Sequence, residues 1–245
     1  MRSFWLATAI LAATVSTASA QGRSMKDNAP EPAQWSGFHV GVQGGGAWAD
    51  WHLDNLVSTP AVGPFTSPGF PVGGFDDSGF VGGVNIGVSI QTGSLVFGIE
   101  ADFNWSNVEA SGDFVAVGIS PGLPLNITNT LDHYGTVRGR VGMTWDGMLL
   151  YATGGLAWST SKTAITSPGQ FAGPFATSDS SRHTGWTAGG GAEFMIAPNV
   201  IVGIEYKHID LGSKDVAFDF PLATVVNSSV DITIDEVTAR LKYKF

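Results

Sequence analysis

Between Trp35 and Phe245 apolar and polar residues alternate, the period-two signature of strands whose two faces meet different surroundings. In 38–48, Phe38, Val40, Val42, Gly44, Gly46 and Trp48 lie opposite His39, Gly41, Gln43, Gly45 and Ala47. In 80–91, Phe80, Val84, Ile86, Val88 and Ile90 oppose Asn85, Gly87, Ser89 and Gln91. The clearest stretch is 95–106, with Leu95, Phe97, Ile99, Ala101, Phe103 and Trp105 against Glu100, Asp102, Asn104 and Ser106. In 132–145, Val137, Val141, Met143 and Trp145 oppose Tyr134, Thr136, Arg138 and Arg140, whereas 149–158 alternates too weakly to assign its faces. In 184–196, Trp186, Ala188, Ala192, Phe194 and Ile196 oppose Thr187 and Glu193. In 200–209, Val200, Val202, Ile204 and Tyr206 oppose Glu205 and Lys207. The last stretch sets Val237, Ala239, Leu241, Tyr243 and Phe245 against Thr238, Arg240, Lys242 and Lys244. The pattern predicts eight strands.

Their connections alternate in length. Short ones fall at 91–94, 146–147 and 197–199, and Asp146-Gly147 suits a two-residue hairpin that needs positive φ. Long ones cover 51–78, 107–130, 159–182 and 211–231 and are rich in Pro, Gly, Ser and Asp. Compact soluble domains rarely carry structureless loops beyond ~12–15 residues. Long loops at one end and short turns at the other are the layout of an outer-membrane barrel.

The polar faces carry Glu100, Asp102, Arg138, Arg140, Glu193, Glu205, Lys207, Arg240 and Lys242. A soluble eight-stranded barrel turns its apolar face inward. Turning these charges into a polar lumen instead lets them pair, and the apolar face then meets lipid, where the sheet must close because an open edge leaves backbone groups unsatisfied. The expected fold is all-β: an eight-stranded antiparallel up-and-down transmembrane β-barrel with four long extracellular loops and short periplasmic turns. Neighbouring strands bring Arg138 or Arg140 to Glu100 or Asp102, and Glu205 to Arg240 or Lys242, with Asp132 near the rim balancing the charge. So narrow a barrel holds little beyond its own side chains, and a lumen plugged by partly wet charge pairs is expected. The Gly44–Gly46 and Gly189–Gly191 runs are expected to let the wall curve.

Tryptophans sharpen the membrane reading. Trp48, Trp105, Trp158 and Trp186 end strands beside long loops, and Trp35 and Trp145 lie at the opposite end, which predicts two interfacial aromatic belts. Ahead of them, Arg2, an apolar run from Phe4 to Val15 and Ala18-Ser19-Ala20 make a signal peptide over 1–20, and 21–34, with Pro30 and Pro32, is expected to be a flexible periplasmic tail before the barrel over 35–245. Export then delivers the chain to the cell outer membrane. The alternating stripe Val237, Ala239, Leu241, Tyr243 and Phe245 is expected to serve as a C-terminal assembly signal.

Composition narrows the function. Only 13% of residues are charged, and 12 Lys and Arg stand against 21 Asp and Glu, a net charge of −9 that falls to −10 with loss of Arg2. No nucleic-acid partner is expected from so acidic a chain. The absence of Cys removes disulfides, thiol catalysis and thiolate metal sites. Outside the membrane band the acids Asp50, Asp54, Asp76, Asp77, Glu109, Asp113, Asp179, Asp215, Asp219 and Asp231 collect in the loops. They favour cationic partners, and favour lipopolysaccharide where divalent cations bridge.

Several segments carry a family resemblance: WSGFHVGVQGGGAW from Trp35, VFGIEADFNWS from Val96, YGTVRGRVG from Tyr134, YATGGLAW from Tyr151, TGWTAGGGAEF from Thr184, VGIEYKHIDLG from Val202 and the closing RLKYKF. As an ordered set they resemble the outer-membrane immunogenic protein family, small alphaproteobacterial barrels similar to the transmembrane part of outer membrane protein A. The resemblance covers the strands and not the loops. It implies an abundant surface antigen bearing on envelope integrity and host contact, with no catalytic residues. His39 departs from the more usual aromatic after Phe38, and the segment after Gly83 lacks the usual aromatic pair.

No phosphate-cradling loop is present, and no cofactor or metal is expected. His133 and His183 could approach at the outer rim beside Asp132, Ser180 and Ser181, although solvated rim residues are the plainer expectation, and His133 falls on the lipid-facing register. Asp76-Asp77 and the group Asp231, Asp235 and Glu236 are expected to be solvated loop acids. The leading function is a non-enzymatic integral barrel that contributes to envelope integrity and presents loops to host molecules, antibodies or other ligands. Its partners are outer-membrane lipid, lipopolysaccharide and the barrel-assembly machinery. The alternative is a small low-conductance diffusion channel; a barrel hydrolase and a soluble periplasmic barrel stand behind it.

Overall fold

Alternating faces on strands joined by tight inner turns close into one antiparallel barrel. The computed structural model describes residues 34–59, 73–116, 123–167, 175–220 and 224–245. The expected signal peptide and all but Gln34 of the expected tail lie outside them. The strands are β1 Gly37–Thr59, β2 Gly73–Thr92, β3 Leu95–Ala116, β4 Leu123–Trp145, β5 Met148–Ser167, β6 Phe175–Ala197, β7 Val200–Phe220 and β8 Thr224–Lys244. Each pairs with the next, and β8 closes on β1. Asp146 and Gly147 have φ of 45° and 80°, the paired left-handed conformation of a type I′ hairpin, and Gly93 turns β2 into β3 with φ of 61°. These inner turns set the register that sends Glu100, Arg138 and Lys242 inward and Ile99, Val141 and Leu241 outward.

The weakly alternating β5 resolves with Leu150, Leu156 and Trp158 outward and Leu149, Tyr151 and Ala157 inward. Its two faces look alike in sequence because its inner end lines an apolar floor. Glycine lets the wall close where strands crowd: a Cβ on Gly45 would collide with the Val237 carbonyl, and one on Gly191 would meet the Tyr151 hydroxyl at 2.7 Å.

The strands run further than the lipid-face pattern indicates. Much of what reads as loop, such as 51–59, 107–116 and 211–220, is strand, and the segments 60–72, 117–122, 168–174 and 221–223 lie outside the described residues. The physical reason is a change of solvent. Beyond the tryptophans the wall stands in water, so its interior becomes apolar (Ala47, Val81, Val108, Leu131, Ile209, Ile234) while Asp50 and Glu109 face out.

Closure is complete only in the inner part of the barrel. Among the described residues the β2–β3 ladder ends at Val81↔Ser106 and the β6–β7 ladder at Trp186↔Asp210. The other ladders continue outward, to Leu53↔Gly73, Ala116↔Leu123, Asn126↔Thr166, Ser167↔Phe175, Phe220↔Thr224 and Thr59↔Val225. The outer wall therefore divides into two four-stranded sheets, β7-β8-β1-β2 and β3-β4-β5-β6. Beside each split the register shifts, between Trp105 and Val108 in the β3–β4 ladder and between Asp210 and Ser213 in the β7–β8 ladder. Such bulges bend a strand and end its pairing on the far side.

Candidate functional site: a sealed charge network and a split rim

Period two places one inward side chain from β3, β4, β6, β7 and β8 at each level, and the structure gathers all nine charged residues of the polar faces in the lumen. Glu100 is the hub. Its carboxylate meets Arg138 at 3.1 Å, Arg140 at 3.4 Å, Lys242 at 2.5 Å and His39 at 3.2 Å, and it pairs with Arg240 as well. Arg138 divides its fork, Nη2 reaching Asp102 at 2.8 Å and Nη1 reaching Glu205 at 3.0 Å, while its Nε donates to Thr136 at 3.0 Å. Glu193 holds Arg140 at 2.9 Å and Lys242 at 2.6 Å, and Glu205 holds Arg240 at 2.6 Å.

The pairs expected between neighbouring strands are present for β3 with β4 and for β7 with β8. Others cross the lumen: Arg138 to Glu205, Lys207 to Asp102 at 3.4 Å, and Lys242 to Glu100 and Glu193. One acid escaped the sequence reading. Glu236, grouped there with solvated Asp231 and Asp235, is fully buried, bridges to Lys207 at 2.7 Å and accepts the Tyr134 hydroxyl. It, rather than rim residue Asp132, brings the buried carboxylates level with the buried cations. The signal was available, because stepping back from Arg240 through Thr238 keeps 236 on the lumen face. Asp235 points the other way, to Tyr206 at 2.6 Å and His208 at 2.8 Å.

Polar layers complete the network. Gln43 donates to Asn104 at 2.6 Å, Asn85 to Gln43 at 3.2 Å and Asn104 to Asp102 at 2.5 Å. Tyr151 donates to Glu205 at 2.7 Å and lies under Arg140, 4.6 Å from ring centre to guanidinium. Apolar layers close both ends. On the inner side are Trp35, Val96, Leu149, Tyr151 and Ile201; on the outer side Val81, Val108, Leu131, Ile209, Ile232 and Ile234. The expected partly wet pairs are in fact enclosed, with Arg138 1% exposed and Lys207 0%.

Trp35 corrects the belt assignment. It is 3% exposed, its amide donates to Gln91 Oε1 at 2.8 Å, and its indole belongs to the inner floor. It precedes β1, so strand alternation could not fix its direction. Trp48, Trp105, Trp158 and Trp186 project outward at the outer level, and Trp145 projects at the inner turn. Val237, Ala239, Leu241, Tyr243 and Phe245 all face outward. Phe245 donates its amide to the Phe38 carbonyl at 2.8 Å and packs against Phe38 and Tyr243 with ring centres 5.9 and 5.0 Å away.

The expected rim approach of two histidines does not occur. His133 lies outside the wall, stacked on Phe103 with ring centres 5.7 Å apart, whereas His183 points inside and is 3% exposed. A bulge between Leu131 and His133 separates those faces. Among the described residues no three His, Cys, Asp or Glu side chains are grouped to hold a metal ion.

Comparisons with known proteins agree with this architecture. The family model described as outer membrane protein beta-barrel domain matches residues 6–245. The 31 kDa outer-membrane immunogenic protein of Brucella melitensis is 36% identical over 171 residues, 68% of this chain and 67% of that protein. The 22 kDa outer membrane protein of Rhizobium leguminosarum is 32% identical over 179 residues, 73% of this chain and 71% of its own length. Among solved structures, the outer membrane protein OprG from Pseudomonas aeruginosa aligns with a TM-score of 0.52 at 12% identity, covering 87% of this chain and 99% of that one. The outer membrane protease OmpT from Escherichia coli also gives 0.52, at 10% identity over 88% and 98%. Identities that low carry the fold alone.

Proposed function

The chain belongs to the outer membrane protein beta-barrel domain family and resides in the outer membrane, and from that premise we propose that it is a non-enzymatic barrel that braces the envelope and presents its outer rim to host molecules or other ligands. The observation that supports this reading is the sealed lumen. Every charged side chain of the network is paired and buried, and apolar layers lie on both sides of it. An ion crossing would have to displace both layers and break pairs whose separation leaves uncompensated buried charge. Among the described residues His133 and His183 lie on opposite faces of the wall, and the relatives are named for their place in the outer membrane, one of them also for its immunogenicity. Assembly would follow from the outward stripe ending at Tyr243 and Phe245, which suits both lipid and the machinery that inserts barrels.

Single-channel recording in planar bilayers tests the reading. The unaltered protein should give rare, small or no openings, and Glu100→Ala should raise their frequency. Steady large openings from the unaltered protein would overturn the sealed barrel and establish the diffusion channel in its place. For presentation, replacing the residues between β1 and β2, or those between β3 and β4, with Gly-Ser should preserve assembly and abolish binding of the antibody or ligand that recognises them. Binding that survives every such exchange would remove recognition from the rim.

A further inference from the structure

We propose that the split between β2 and β3 is a docking slot for an extended cationic peptide, which adds to the barrel wall as a strand. The proposal rests on the outward orientation of the rim given above and goes beyond it by assigning recognition to the wall's own edges rather than to loops.

The first observation is where pairing stops. β2 and β3 are joined from the inner turn up to Val81↔Ser106, the residue after Trp105 of the outer belt. Within lipid an open edge would leave backbone groups without partners, and at the belt water takes over that role. From there outward β2 keeps its partner β1 as far as Gly73, and β3 keeps β4 as far as Ala116. Each is hydrogen-bonded on one side only. A strand edge of this kind is a template for another extended chain, and soluble proteins hide or blunt it.

The foot of the slot shows what happens to the released amides. The Ser78 amide donates to Asp77 Oδ1 at 2.6 Å, the Phe80 amide to Asn107 Oδ1 at 2.7 Å and the Val108 amide to Ser106 Oγ at 3.0 Å. Side chains stand in for the missing strand there. Further out, over 73–77 on β2 and 109–116 on β3, the described residues show no ladder across the slot.

Charge chooses the occupant. Glu109 is exposed on the outward parity of the β3 edge, which Asp113 shares, Asp76 holds the register of exposed Asp50 on the β2 edge, and Asp77 is exposed on the alternate parity opposite Ala49, with no Lys or Arg in 73–80 or 107–116. A second copy of the barrel would set these acids against themselves, whereas an extended segment bearing Lys or Arg at alternate positions would neutralise them while its backbone fills the ladder. The opposite split, between β6 and β7, mixes Arg182 and Lys214 with Asp179, Asp215 and Asp219 and makes no such selection. An edge of eight residues, 73–80, accommodates a peptide of about that length.

The test uses residues 21–245 folded in lipid nanodiscs. The probes are an eight-residue peptide alternating Lys and Val, its Glu-Val counterpart, and the Lys-Val peptide N-methylated at alternate amides. Binding is read by fluorescence anisotropy, and strand pairing by infrared spectroscopy of a ¹³C-carbonyl-labelled peptide. The Lys-Val peptide should bind and show strand coupling, the Glu-Val peptide should not bind, and N-methylation should weaken binding about tenfold or more. Asp76→Asn with Glu109→Gln, a pair outside the lumen network, should also weaken it about tenfold while leaving heat-modifiable mobility unchanged. Equal binding of the N-methylated peptide would reduce the effect to charge attraction and overturn strand addition. Indifference to the double substitution, or self-association of the barrel in preference to peptide capture, would overturn the assignment of slot and occupant. Orientation is checked separately: the chain has no Cys, so Ser111→Cys should be labelled on intact cells by an impermeant maleimide. Failure of that labelling would remove the outward orientation of the rim, and failure of peptide binding with labelling intact would remove only the slot.

Discussion

A carboxylate holding several cations at once cannot be neutralised without leaving charge behind. Glu100 contacts Arg138, Arg140, Arg240 and Lys242 inside a wall that excludes water. Glu100→Ala leaves an excess of buried positive charge, and the destabilisation should be about 3–5 kcal/mol, the range found when one partner of a buried pair is removed. The measurement is the temperature at which the folded, fast-migrating form converts to the unfolded one in a gel; an unchanged midpoint would mean the pairs are wet and weak. Arg138→Lys should also lower the midpoint, because Nη1, Nη2 and Nε of Arg138 serve Glu205, Asp102 and Thr136 separately and an ammonium cannot span them. At this scale sequence shows which face a charge occupies and little about whom it meets. The ion pair of Arg138 with Glu205 crosses from β4 to β7, and only barrel closure, with its particular diameter and stagger, creates it. Glu236 shows the other limit: adjacent acids look like one solvated cluster until parity separates Asp235, outside, from Glu236, inside.

β8 carries both solvents on one strand. Its inward residues Glu236, Arg240 and Lys242 join the network, and its outward residues Leu241, Tyr243 and Phe245 meet lipid. Leu241→Arg places a charge in the hydrocarbon and should cost about 2–4 kcal/mol, while Phe245→Arg, at the inner interface, should cost only about 0–1 kcal/mol by the depth dependence of such substitutions. Unfolding titrations of the two variants in lipid vesicles measure the difference, and equal costs would mean that the membrane band is misplaced along β8. Strands with charge on one face and oil on the other were legible for this reason, and so were the inner turns, since Asp146-Gly147 supplies the left-handed pair that a two-residue hairpin requires. β5 was not, because Leu149 and Tyr151 line the apolar floor and remove its contrast. Trp35 was not either, since a residue outside the strand has no parity to read.

Across the whole molecule the same period-two code is written twice with opposite meaning. In lipid the outside is apolar and the inside charged; beyond the tryptophans Ile209, Ile232 and Ile234 turn inward and acids turn outward, as in a soluble barrel. A reading tuned to lipid-facing strands therefore stops at the belts and takes the rest for loop. Solvent also decides where the wall is free to open. Both splits begin beside outer tryptophans, at Ser106 next to Trp105 and at Trp186 itself, the first level at which water can satisfy an unpaired edge. Bulges near Trp105 and Asp210 then bend β3 and β7 away from β2 and β6. This geometry makes an ordering of amide protection that a continuous cylinder would not show. The β1 segment 47–53, paired on both sides with β2 and β8, should exchange slowly, and the one-sided segments 73–80 of β2, 175–185 of β6 and 211–220 of β7 should exchange about tenfold faster or more, since local opening there breaks one ladder rather than two. Hydrogen–deuterium exchange with mass spectrometry on the nanodisc-held barrel resolves these segments. Uniform protection around the rim would mean that the wall is closed to its outer end, and the slot between β2 and β3 would have no edge to offer.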